Sequence, residues 1–161
     1  MDTPEQRLAA LGFVLPAPAQ LPAGVTLPFA LVRVVGSRAL VAGHGPTNAD
    51  GSMTAPFGKV GATLTLEQGV TAARLTTLAM LASLKRELGE LSRIRCWVRI
   101  FGMVNSAPGF HLQPVVMNGC SELLRAVFGD EAGTHARCAI GVAELPFNLP
   151  VEIEGEVELW S

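Results

Sequence analysis

The segment His135-Ala-Arg-Cys-Ala-Ile-Gly-Val-Ala-Glu-Leu-Pro146, followed by Val151-Glu-Ile-Glu154, constrains the fold more than any other part of the chain. Its first part is a run of small apolar residues carrying one arginine, and a proline marks the turn that follows. Its second part alternates Val or Ile with Glu, the period-two pattern of a strand with one buried and one polar face. The chain is therefore expected to close on a strand, a turn and a strand. That layout puts the Arg137 cation and the Glu152 carboxylate on neighbouring strands, able to face one small polar ligand.

Upstream, the same rules predict a short N-terminal helix, two longer helices and three further strands. Residues 4–11 read as a short helix, and Leu15 to Leu27, punctuated by Pro16, Pro18 and Pro22, as an irregular arm over the surface. Phe29 to Val35 and Ala39 to Gly43 are apolar runs joined by Gly36-Ser37-Arg38, a hairpin signature. Pro46 to Gly61 is a polar, Gly-rich loop. A helix is expected from Leu66 to Leu88, with Thr65 and Gln68 as a capping box and Gly89 as the stop. Ile94 to Val104 reads as a strand, Pro114 to Phe128 as a second helix, and Gly129 to Thr134 as a connector. The order β-β-α-β-α-β-β implies an α+β fold, a mixed sheet with two helices on one face. The whole chain, 1–161, forms one domain: a short helix and Pro-rich arm over 1–27, then a core over 28–160.

Such a sheet leaves one face uncovered, and composition bears on what covers it. Hydrophobic residues make up 49% of the chain and charged residues only 16%, which favours a homo-oligomer. A formal net charge of −2, with Lys59 and Lys85 the only lysines, argues against a nucleic-acid partner. No apolar run approaches the ~18 residues of a membrane span, and the first residues lack the features of a signal peptide. A cytoplasmic location is the resulting expectation. Cys96, Cys120 and Cys138 lack CxxC spacing and suggest buried free thiols rather than disulfides. His44, His111 and His135 show no metal-ligand spacing, so neither a metal nor another cofactor is expected.

Arg137 stands alone among apolar neighbours, so its donors need acceptors: a substrate carboxylate held in bidentate fashion, or an ion pair, for which Glu152 is one candidate. Glu152, Glu154, Glu156 and Glu158 share one face of the last strand. The last three are expected to be a solvated stripe, whereas Glu152 opens the strand beside the turn and can position water or carry a proton. Cys138, next to Arg137 but pointing to the other face, is expected to be a buried thiol. Gly43-His44-Gly45-Pro46 ends a strand where backbone amides could meet a ligand or simply form a turn. Asn118 on the second helix can bond a ligand or a nearby loop.

These residues also resemble a known family. Arg137-Cys-Ala-Ile-Gly-Val-Ala-Glu-Leu-Pro146 with Val151-Glu-Ile-Glu154 is similar to the R-[ST]-x-x-x-V-x-x-L-P…[IV]-E-[IV]-E signature of the RidA (YjgF/YER057c/UK114, "endoribonuclease L-PSP") family. Ala42-Gly-His-Gly-Pro46 is similar to its S-G-Q-x-P turn. The longer loop at Asn105-Ser-Ala-Pro108 resembles a branch distinct from RidA proper. The resemblance implies a chorismate-mutase-like fold, a homotrimer with clefts between subunits, and hydrolysis of enamines or imines such as 2-aminoacrylate to 2-keto acids and ammonia. It implies that Arg137 holds a substrate carboxylate, that Glu152 manages water and protons, and that Gly43 and Asn118 line the cleft. The family's pocket tyrosine corresponds to Phe29, its serine to Ala42 and its Ser/Thr after the arginine to Cys138. Those losses point to a more apolar ligand, or to a non-catalytic metabolite-binding trimer; a ribonuclease reading follows from the family's older name.

Overall fold

A computed structural model describes residues 2–160. The chain builds α1 (Pro4–Ala10), the hairpin β1 (Val32–Val35) and β2 (Arg38–His44), α2 (Leu66–Leu88), β3 (Ile94–Asn105), α3 (Gln113–Gly133), β4 (Ala136–Val142) and β5 (Val151–Leu159). The expected α+β order therefore holds, with the short α1 ahead of it. The hairpin turns on Gly36 and Ser37, since Val35 pairs with Arg38, and Gly36 takes φ +58° at the first central position.

Helix α2 has the expected bounds because local chemistry fixes both ends. The Thr65 hydroxyl accepts from Gln68 N, the Gln68 side chain reciprocates, and Gly89 at φ +85° ends the helix. Its burial is wider than one stripe. Thr76 to Leu84 is buried all round, and the Thr76 and Thr77 hydroxyls donate to Ala72 O and Ala73 O at 2.8 Å. Helix α3 runs regularly to Phe128, then breaks at Gly129 (φ 82°, ψ 170°) before a last turn. α2 and α3 approach closely at Gly119, where a Cβ would stand 2.2 Å from Val70 O.

The five strands lie in the order β1-β2-β5-β3-β4, antiparallel except for the parallel β3–β4 pair. Met80, Leu81 and Leu84 of α2 and Val116, Met117 and Leu124 of α3 form one core with Ile100, Val104, Ile153 and Val157 of the sheet. Burial of each such side chain contributes about 1.5–3 kcal/mol.

Two expectations are corrected. β4 and β5 are not neighbours: β3 lies between them, because the crossover through α3 lays β4 parallel to β3 at the edge while β5 returns between β2 and β3. Cys138 is exposed rather than buried. It pairs with Phe101 and, through it, Glu154, on the sheet face that no helix covers. The other thiols differ: Cys120 is buried and Cys96 half-buried. Among the described residues, no helix is long and apolar enough to cross a membrane.

Candidate functional site: two half-sites on one sheet

Arg137 projects onto the helix-covered face. Its pairing partner Ile100 is fully buried there, and β4 has only α3 beyond it, so the guanidinium folds over that helix. Nη1 donates to Asn118 Oδ1 and Ser121 Oγ, each at 3.0 Å, and Nη2 donates to Pro114 O at 3.1 Å. Of its five N–H groups, Nε–H and one on Nη2 remain without a protein acceptor. These two nitrogens share one edge of the guanidinium, the geometry that grips a carboxylate through both oxygens. Ser121 is held in turn by His135 Nε2 at 3.0 Å, while His135 Nδ1 donates to Gly133 O at 2.8 Å. Burial, with a lesser push from Arg137, lowers the His135 pKa. A neutral His135 accepts the Ser121 proton and leaves the hydroxyl oxygen free to accept from Arg137.

Glu152 belongs to the opposite face. It pairs with Met103, three residues from Ile100 along β3, and odd separations along a strand change face. Its carboxylate lies on Gly43: a Cβ at position 43 would stand 2.1 Å from Oε1. Burial, followed by repulsion from Glu154, raises its pKa. The remaining glutamates of the stripe differ from it. Of the three expected to form a solvated stripe, only Glu154 is exposed; Glu156 and Glu158 are half-buried instead, because they pair with Arg38 at 3.0 Å and Arg95 at 3.3 Å.

Glu152 and Gly43 help to line a cavity of about 250 Å³. β1 begins only at Val32, so the end of β2 has no edge strand, and the Pro-rich arm crosses that gap. Ala17 N donates to Ala49 O at 2.9 Å and Gln20 N to Gly51 O at 2.8 Å. Phe29 and His44 are in the cavity wall. The buried His44 ring is engaged elsewhere, Nδ1 with Ala42 O at 2.7 Å and Nε2 with Ser83 Oγ at 2.8 Å. Burial lowers its pKa. Ala42 donates its N–H to Leu31 O.

Within one chain, then, Arg137 gathers Asn118, and Glu152 gathers Gly43, with Phe29 and His44 in the same cavity wall. Two strand spacings and three residues of register put the two centres roughly 14 Å apart, on opposite faces. They form no ion pair.

Residues 5–153 match the sequence profile of the family described as "YjgF/chorismate mutase-like, putative endoribonuclease". The chain belongs to this family. It is 45% identical over 120 residues to the protein TCP17 of Trypanosoma cruzi, covering 74% of this chain and 73% of TCP17. A protein of unknown function from Agrobacterium tumefaciens has a TM-score of 0.85 at 37% identity, covering 98% of this chain and 92% of that one. Escherichia coli TdcF with bound serine shares the fold, with a TM-score of 0.58 at 16% identity, covering 92% of this chain and 96% of TdcF.

In this YjgF-family chain the cavity also draws on residues that the sequence did not single out: Leu21 and Leu27 of the arm, Ser83 and Arg86 of α2, and Phe147 and Leu149 before β5. Proline spacing had marked the arm only as irregular. Phe147 carries no local signal at all, because its role follows from a left-handed turn (φ 55°) that phenylalanine rarely adopts. Among the described residues, no group of three or more His, Cys, Asp or Glu could hold a metal ion.

Proposed function

We propose that the chain is a RidA-like deaminase that hydrolyses a carboxylate-bearing imine to a 2-keto acid and ammonia. Its site is formed between copies of the chain, with Arg137 from one and Glu152 from the next. The observation that carries this reading is the pair of free donors on one edge of Arg137, placed across the sheet from a half-buried carboxylate with a raised pKa. The Arg86 cation in the Glu152 cavity is engaged with Pro16 O and Ser83 Oγ, and a ligand of a few atoms cannot span Arg137 and Glu152 within one chain. Exposed apolar side chains beside the Arg137 half-site, Leu112 and Val115, and Ile140 on the uncovered face of β4 support an arrangement of copies packed there, the homotrimer of the family resemblance.

In this reading the substrate carboxylate accepts from Nε and Nη2 of Arg137, which orients the imine carbon toward Glu152. Glu152 takes a proton from a water as the water oxygen bonds to that carbon. It passes that proton to the nitrogen, giving a carbinolamine, and then takes the hydroxyl proton and delivers it to the nitrogen as the C–N bond breaks, so imine and water yield keto acid and ammonia. Such proton transfer is typically worth ~10²–10⁴-fold.

The experiment is keto-acid formation from imines generated by an amino-acid oxidase. Arg137→Ala and Glu152→Gln proteins should each be inactive. After unfolding and refolding together they should regain about a quarter of the activity, the share of sites formed from two intact halves in a closed ring. No acceleration by the folded wild type would overturn the reading.

A second reading is a non-catalytic metabolite binder. Phe29 favours it, because a tyrosine hydroxyl is absent from the cavity wall. It predicts binding that needs Arg137 without turnover. A ribonuclease activity fits the charge balance poorly.

A further inference from the structure

The cavity beside Glu152 is larger than a three-carbon substrate requires. Its volume is about 250 Å³, whereas about 150 Å³ suffices to hold benzene. Its apolar walls come from distant segments: Leu21, Leu27, Phe29 and Leu31 from the arm side, Phe147 and Leu149 from the turn before β5. Four of these, Leu21, Leu27, Phe29 and Phe147, are exposed to solvent. Single exposed apolar residues are ordinary, but four around one cavity form a patch that suits a ligand.

The walls are also held in place by specific bonds. Phe147 sits at φ 55°, ψ 21°, a conformation unfavourable for a residue with a Cβ. The turn that imposes it is anchored by the fully buried Asn105, whose amide donates to Leu149 O at 3.2 Å and Asn148 Oδ1 at 3.3 Å. Asn105 Oδ1 in turn accepts from Lys59 Nζ at 2.9 Å. On the other side, Arg86 Nη1 donates to Pro16 O at 3.3 Å and holds the start of the arm. Most polar side chains of the wall are engaged: Ser83 Oγ accepts from Arg86 Nη2 at 2.9 Å and contacts His44, and Gln20 Nε2 donates to Asp50 O, while the buried Thr47 hydroxyl has no partner among the described residues. They offer little to a cationic group, which the Arg86 guanidinium also opposes.

We propose that this cavity receives the side chain of the ligand, so that the chain binds carboxylates bearing a bulky apolar side chain, of phenyl or branched-aliphatic size; in the deaminase reading these are the imines of such amino acids rather than 2-aminoacrylate. The inference rests on the reading above for the place of the carboxylate, but not on turnover. With the reacting carbon against Glu152 and the carboxylate directed to Arg137 of a neighbouring copy, the remaining substituent points beneath the arm. Imines with cationic side chains are disfavoured there.

The test compares binding of propanoate and 3-phenylpropanoate to the assembled protein by titration calorimetry, which needs no reaction. The phenyl compound should bind at least ten-fold more tightly. Phe147→Gly, which suits the left-handed backbone, should remove most of that difference, weakening 3-phenylpropanoate far more than propanoate; Phe29→Ala is the parallel variant on the arm. Equal affinities, or variants that weaken both ligands alike, would overturn the proposal. So would a cavity plugged by a second copy, in which neither compound binds and Phe147→Gly alters the oligomeric state. If phenylpropanoate binds as expected but no imine is turned over, the deaminase reading fails and this one stands.

Discussion

Arg137 and Glu152 leave opposite faces of the same sheet, on strands separated by β3. A cation bonded to α3 and a carboxylate beside the arm cannot serve one small ligand in a single chain. Under the proposed function, that separation is the reason the site must be shared between copies of the chain.

The contact between Glu152 and Gly43 gives the first prediction. A Cβ at position 43 would stand 2.1 Å from Oε1 and 3.0 Å from Cδ. Those atoms end a flexible side chain, so Gly43→Ala should move the carboxylate rather than break the sheet. Activity in the imine assay should fall at least ten-fold, since small misplacements of a catalytic group are costly. The melting temperature should change by only a few degrees. A variant with full activity would show that the carboxylate position over Gly43 does not matter.

A second prediction concerns pH. The Glu152 pKa lies above its ordinary value of 4.5, chiefly through burial. The native state therefore binds more protons than the unfolded chain between that ordinary value and the raised one. Stability falls as pH rises through this window and stays reduced above it. Glu152→Gln removes the effect. It should melt higher than the wild type at pH 7, and the two should converge below pH 4.5, while the variant remains inactive at every pH. The acid limb of wild-type activity should lie above pH 4.5. Calorimetric scans across pH, with a rate profile, check both.

How far these residues could be read in advance depended on the range of the interactions that place them. The ends of α2 are set by Thr65, Gln68 and Gly89, all within one turn of the helix, and were legible. So was the distinct character of Glu152 in its stripe, because strand alternation and the adjacent turn are local. Strand order is not local. Nothing between Pro146 and Val151 records that β5 passes beyond β3, so Arg137 and Glu152 were expected on adjacent strands. Cys138 follows the same logic, since an apolar strand looks alike in the sequence at an edge or a centre. Ser83, Arg86 and Phe147 reach the cavity only because the arm closes it.

Asn105 gives the third prediction. It is fully buried, and its side chain joins Lys59 to the turn at Asn148 and Leu149. Asn105→Ala would strand Leu149 O without this donor, and an unsatisfied buried polar group costs about 1–3 kcal/mol. Lys59 would keep Ala143 O and Glu144. Denaturant unfolding should show a loss of about 2 kcal/mol. Hydrogen exchange should rise at residues 146–150 while α2 stays protected. Uniform loosening of the whole chain would contradict this local role.

The arm supplies the last prediction, through Gly51. This residue takes φ +86°, and a Cβ there would stand 2.1 Å from Pro18 O, with Ala17 O also at 3.1 Å. Gly51→Ala thus meets a backbone obstacle and a conformation that costs an alanine about 1–2 kcal/mol. The least costly relief is for the arm to lift, breaking the bonds from Ala17 N to Ala49 O and from Gln20 N to Gly51 O. About 1 kcal/mol corresponds to a fall of roughly 2–4 °C in melting temperature for a chain of this size. The more telling readout is local. Limited proteolysis should cleave within residues 15–27 faster than in the wild type, because the freed arm presents extended chain to a protease. Binding of 3-phenylpropanoate should weaken toward that of propanoate as the cavity loses its cover. If the arm became sensitive to protease while the preference for the phenyl compound persisted, the arm would not be part of the binding wall. The preference would then belong to Phe147 and Leu149 alone.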